Sequence, residues 1–159
     1  MSDEYVVAVG REASLPPRNV LISQAWGSLP VSYFQDHEDL DECSFLDLKV
    51  NKWEINDLWA GNGIEPAIRI DILKGAALSD FMRNHDFPIS CVAYERLLVL
   101  KLDEGAEAID EMLLLRLISV LVGIGKVYVL RQRVEELTEG SINAMPTVGA
   151  VVEKLNGVA

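Results

Sequence analysis

The chain is poor in the residues that most often carry chemistry. Its 159 residues include only two histidines and two cysteines. Cys43 and Cys91 are too few to staple a chain of this length, which excludes a disulfide framework. No apolar run reaches the roughly 20 residues that a membrane helix needs. The longest, Met112 to Gly125, is 14 residues with Arg116 inside it, and reads as a buried helix. The start, Met-Ser-Asp-Glu, lacks the basic segment and apolar core of a signal peptide, and no N-x-S/T acceptor occurs. These absences predict a cytoplasmic chain that makes no membrane contact.

Phosphate cradles are missing too. There is no G-x-x-x-x-G-K-[ST]. Gly123-Ile124-Gly125-Lys126 is a fragment of a dinucleotide fingerprint, but Tyr128 stands where the third glycine belongs. The fragment also follows a helical pattern and precedes a strand-like one, the reverse of what the cofactor requires. It reads as a helix terminator, and no cofactor is expected.

Positive charge is scarce. Twenty-five acids face 14 bases, a net charge of −11. The surplus is uneven: residues 36–57 carry 8 acids against 2 bases, whereas residues 112–159 carry 4 against 5. Such a field repels nucleic acid and anionic membranes and attracts basic proteins. The same excess would also serve solubility alone.

What the chain does contain is an acidic run, Asp36, His37, Glu38, Asp39, Asp41, Glu42 and Cys43, followed by Trp53 and Trp59. The run does not have calcium-loop spacing: counted from Asp39, Cys43 takes the fifth place and no glycine follows. Zinc-type Cys/His pairing is absent, so no metal is expected. A Cys43–His37 nucleophile pair is conceivable, but surrounding carboxylates would raise the thiol pKa and blunt it. Ser90 and Ser141 do not sit in nucleophile elbows. The two indoles either plug the core or anchor an interface; an aromatic anchor with a charged rim is a common docking recipe. We therefore take Asp36, Glu38, Asp39, Asp41, Glu42, Trp53 and Trp59 as candidate partner-binding residues.

Strand patterns appear at Tyr5–Val9, Val20–Ile22, Val31–Phe34, Phe45–Val50, Ala67–Leu73 and Val127–Leu130. Gly61-Asn62-Gly63 signals a turn. Helical spacing appears at Leu78–His85 and Ala106–Val122, with a helical turn or two over Arg133–Glu139. Ser90–Leu98 fits a helix, and Leu98–Leu102 fits a strand as well. A last helix opens at Thr147 as N-cap and carries Val148, Val151, Val152 and Leu155 at helical spacing. Without a linker or repeat, the expectation is one α+β domain over 1–159: a mixed or antiparallel sheet packed on a buried central helix, strands dominating the first half and helices the second.

The stretch Leu78-Ser79-Asp80-Phe81-Met82, Phe87-Pro88-Ile89-Ser90 and Glu95-Arg96-Leu97 resembles a segment of immunity proteins from bacterial polymorphic-toxin and contact-inhibition systems. There a short helix, a proline turn with serine and a helix carrying Glu-Arg recur. The likeness covers about 20 of the 159 residues, and here Val92-Ala93-Tyr94 separates the serine from Glu95-Arg96. It implies a non-catalytic protein that neutralises a toxin.

Three expectations follow. The first is an acidic binding protein that occludes the active site of a basic partner, such as a toxin domain. The second is an acidic chaperone or scaffold, dimeric through Val148, Val151, Val152 and Leu155. The third, an enzyme assembled from scattered residues, has least support.

Overall fold

The computed structural model describes residues 3–59, 66–87 and 94–157. Chain order is β1 (Glu4–Gly10), α1 (Arg18–Trp26), β2 (Val31–Gln35), β3 (Phe45–Val50), α2 (Lys52–Ile55), β4 (Ile68–Lys74), α3 (Gly75–Asn84), β5 (Tyr94–Leu102), α4 (Ala108–Leu121), β6 (Lys126–Leu130), β7 (Val134–Glu136), α5 (Glu139–Asn143) and α6 (Val148–Asn156). Single 3-10 turns lie at Leu40–Glu42 and Asp57–Trp59. The strands form one seven-stranded sheet in the order β2-β3-β4-β5-β1-β6-β7, every neighbouring pair antiparallel. The α+β class and the antiparallel sheet are as expected from sequence.

Period-two alternation divides the sheet into two faces. The first carries Val7, Val9, Leu46, Leu48, Val50, Ile68, Ile70, Ile72, Leu98, Leu100 and Val127, all buried. Helices α1, α4 and α6 share one core with it. Helix α4 supplies Ile109, Leu113, Leu114, Leu117, Ile118 and Leu121. Each such side chain contributes roughly 1.5–3 kcal/mol by leaving water. Arg116 is tolerated in this apolar helix because its guanidinium donates to the carbonyls of Ala25 (2.8 Å) and Gln24 (2.8 Å). Those carbonyls close α1, where a cation is favoured.

The second face is only partly covered. Helix α3 and its extension to Phe87 pack on Val6, Ala8, Leu97, Val99 and Tyr128. Tyr128 is buried there, and desolvation pushes its phenol up to about 12. Among the described residues α3 reaches β4 only around Leu73, and no helix covers the same face of β2 and β3.

Three sequence expectations need correction. Val20–Ile22 lies within helix α1, not a strand. Pro17, with φ −56°, leads into the helix, and Leu21, Ala25 and Trp26 bury themselves against α4. Trp26 is the tryptophan sealed inside; its indole donates to the Leu113 carbonyl at 2.9 Å. Arg133–Glu139 is not helical: Val134–Glu136 is β7, paired with β6, and α5 begins only at Glu139. Strands and helices also interleave along the chain, because β5, β6 and β7 all come from the second half. The Ser90–Leu98 ambiguity resolves to strand from Tyr94 onward, which places Glu95 and Arg96 on β5 and not on a helix. Cys91, Ser90 and the Gly61-Asn62-Gly63 turn lie outside the described residues.

Gly123 and Gly125 follow the end of α4 as the sequence implied, but Gly125 has a second reason to be glycine. A Cβ there would stand 2.1 Å from the Ala8 carbonyl oxygen of the interior strand β1. The Gly-Ile-Gly fragment is thus a close-approach turn.

Below α4, Lys52 and Asp110 form a buried ion pair at 2.9 Å, with side chains 7% and 4% exposed. The other Asp110 oxygen accepts the Glu107 backbone N–H at 2.8 Å, capping the start of α4.

Two stability predictions follow from these contacts. Gly125→Ala should cost about 3 kcal/mol or more in urea unfolding, since backbone is what the new methyl meets. Gly10→Ala, whose Cβ would meet nothing within 4 Å, should change stability by less than about 0.5 kcal/mol. Lys52→Met leaves Asp110 buried without its cation and should cost about 3–5 kcal/mol. Adding Asp110→Asn, which removes the stranded charge, should recover part of that loss.

A braced acidic loop beside an exposed aromatic pair

The β2–β3 hairpin carries the acidic run as its connecting loop. Asp36 closes it: the carboxylate accepts the Ser44 hydroxyl at 2.6 Å and the Ser44 amide at 2.9 Å. It also accepts the Phe45 amide at 3.4 Å. These donors, the Ser44 hydroxyl foremost, hold the Asp36 pKa down to about 2. The Gln35 side-chain amide donates to the carbonyls of His37 and Glu38. Asp39 caps the 3-10 turn by accepting from the Asp41 amide at 3.0 Å.

Asp41 points back into the molecule. Its carboxylate accepts the Leu15 amide at 3.2 Å and pairs with Arg96 at 3.1 Å, while the Lys74 ammonium donates to the Asp41 carbonyl. Cys43 is buried beneath the loop and its thiol donates to the His37 carbonyl at 3.1 Å. Burial, with the Asp36 charge adding to it, pushes this thiol up. The conceivable Cys43–His37 nucleophile is therefore corrected: the sulfur faces a carbonyl within the core, not an imidazole at the surface.

With Asp36, Asp39 and Asp41 holding the loop, the exposed Glu38 and Glu42 carboxylates have no partner among the described residues, and Asp39 remains solvent-facing at the turn. Beside this loop, on the uncovered sheet face, Phe34 is 65% exposed and stacks on Phe45 at 5.5 Å. The Arg69 guanidinium covers the Phe45 ring at 4.2 Å and pairs with Asp71 (2.9 Å) and Asp47 (3.0 Å). Lys101 completes the row, pairing diagonally with Asp71 at 3.6 Å. Register explains the row: Phe34 faces Asp47, Phe45 faces Asp71, and Arg69 faces both Asp47 and Lys101. Sequence reasoning missed the Phe34–Phe45 stack. The signal available was the alternation of Val31–Phe34, which sets Phe34 on the opposite face from Tyr33.

The structure does not bring the tryptophans to the loop. Strand β3, six residues long, separates them, a run of roughly 20 Å. The loop closes one end of the hairpin; at the other, the Asn51 amide donates to the Pro30 carbonyl at 2.9 Å. Trp59 is half-buried, donates to the Leu155 carbonyl at 2.7 Å and lies under Lys52 at 5.1 Å, so it ties the Asp57–Trp59 turn to α6. Trp53 is 51% exposed beside an exposed Leu58, a separate surface. Of the stripe on α6, Val151 and Leu155 are buried in the chain's own core and Val148 and Val152 are half-buried, so the stripe is not a free dimer face.

Both histidines are exposed. His85 stacks on Phe81 at 4.1 Å, with Nδ1 2.9 Å from the Phe81 carbonyl. Among the described residues no three His, Cys, Asp or Glu side chains group as metal ligands, and no helix is long and apolar enough to cross a membrane. An open cavity of about 420 Å³ is lined by Glu4, Lys101, Leu102, Asp103, Glu104, Gly105 and Ala106 and holds neither histidine. Compared with protein-family models, with curated proteins and with solved structures, the chain matches none.

The Asp36 latch has a pH signature. Its folded pKa lies below the ordinary aspartate value near 4, so its contribution is complete above about pH 4 and lost as pH falls through about 2. The Ser44 amide resonance should titrate with a midpoint near 2, and Asp36→Asn should abolish that step. The stability gap between wild type and Asp36→Asn should be widest above about pH 4 and close toward pH 2.

Proposed function

We propose that this chain is a non-catalytic binding protein that captures a basic protein partner and covers its cationic site, as an immunity protein or antitoxin does. The observation that carries the reading is a braced loop presenting Glu38, Asp39 and Glu42 beside an exposed aromatic stack. Bracing matters because a surface already in its bound shape loses little freedom on docking. Exposed carboxylates steer a cationic partner and raise its association rate. Phe34 supplies the apolar contact that slows its departure.

The docking set differs from the one read off the sequence. Glu38, Asp39, Glu42 and Phe34 form it. Asp36 and Asp41 hold the loop's shape behind them, Trp59 ties down α6, and Trp53 marks a separate surface. The choice of a toxin as partner rests on the resemblance around α3, where the short helix is present but Glu95-Arg96 belongs to a strand. The acidic scaffold reading loses its dimer face with the burial of Val151 and Leu155.

The test is affinity capture from the source organism's lysate at low salt. Wild type should retain a basic protein, and Glu38→Lys with Glu42→Lys should reduce that capture on the order of tenfold or more. Glu104→Lys with Glu153→Lys makes the same change in net charge at exposed sites elsewhere and should reduce it far less. Equal loss from both pairs would reduce the acidic loop to a bulk charge effect.

A further inference from the structure

The two edges of the sheet are built differently. One edge, β7, is three residues long and carries Glu135 and Glu136. These pair with Arg133 at 3.1 Å, Arg131 at 3.8 Å and Lys126 at 3.6 Å. A short, charged strand is how proteins keep an edge from pairing with another chain. The other edge, β2, reads Val31-Ser32-Tyr33-Phe34-Gln35: five residues with no charge and no proline. Tyr33 and Phe34 are 52% and 65% exposed. It pairs with β3 on one side only, and among the described residues no strand pairs with its outer side.

The acidic loop leaves this same strand. An extended segment added to β2 and continuing past Gln35 would run beside Asp36, Glu38 and Asp39. Arg18 lies near this edge, but it is engaged within the molecule, over the Tyr33 ring at 3.6 Å and donating to Gln35 at 2.7 Å. We propose that β2 is a strand-addition site that takes an extended, basic segment of the partner protein. Ladder hydrogen bonds along β2 would hold its backbone, Phe34 its apolar side chains, and the loop carboxylates its lysines or arginines. A second copy of the chain is the less suited occupant, since each brings a net charge of −11. This inference rests on the reading of the acidic loop as a docking surface for a basic protein.

The probe is a capped Lys-Val-Lys-Val-Lys-Val-Lys peptide, added to the full chain at low salt. Amide exchange is followed by NMR, and a copy of the peptide N-methylated at alternate residues serves as control. Outward amides within Val31–Gln35 should exchange at least tenfold more slowly with the peptide. The N-methylated copy should give no protection, and Glu38→Lys with Glu42→Lys should remove most of it. Peptide binding that depends on those glutamates but leaves β2 exchange unchanged would overturn strand addition and leave the acidic docking surface standing. Protection of β2 that ignores the glutamate changes would overturn the basic occupant and the docking reading together. Protection that grows with protein concentration and needs no peptide would assign the edge to a second copy instead.

Discussion

The sheet has two apolar-capable faces, and the chain places three helices on one of them and a single helix on part of the other. Everything at the surface follows from that shortage. The face under α1, α4 and α6 is continuous hydrophobic core from Val50 to Val127. On the opposite face, α3 covers the positions where the strands offer Val6, Ala8, Leu97, Val99 and Tyr128. Where it does not reach, the strands present Asp47, Arg69, Asp71 and Lys101 instead. These charges neutralise one another across neighbouring strands, as cross-strand pairs on a wet face do. The Phe34–Phe45 stack is the apolar exception on that face, and it lies against the acidic loop.

Charges and indoles inside the molecule do positional work. Lys52 and Asp110 join the end of the β2–β3 hairpin to the start of α4 across 58 residues of sequence. Arg116 crosses from α4 to close α1, and Trp26 returns the contact from α1 to α4. Arg96 and Lys74 reach out from β5 and β4 to grip Asp41 and so fix the acidic loop to the sheet. A loop gripped at Asp36 and Asp41 displays its remaining carboxylates in one arrangement.

Much of this was legible where a local period decides. Ile68, Ile70 and Ile72 alternate with Arg69 and Asp71, and β4 follows. The apolar mass of α4 and the Thr147 cap of α6, accepting from Ala150 at 3.1 Å, were equally readable. Short segments were not. Val20–Ile22 and Arg133–Glu139 hold too few residues for period two and period 3.6 to differ, and contacts with α4 and β6 settle them. The candidate site was half legible. Acid density marked the loop, but density does not separate a carboxylate that holds a turn from one that faces solvent. Nearness in sequence likewise suggested that Trp53 and Trp59 share a surface with the loop, whereas a strand carries the chain to the hairpin's far end.

By itself, the amino-acid order determined the properties that depend on residue type and short-range spacing. These are the negative field, the missing cofactor and metal patterns, the alternating strands, the buried helix and the α+β class. Only the tertiary structure decided which acids are free, which tryptophan is core and which edge is open. Those outcomes depend on partners dozens of residues away, such as Arg96 for Asp41 and Leu113 for Trp26. No local pattern encodes a long-range pairing, because the free energy that selects it arises when the sheet and its helices close on one another.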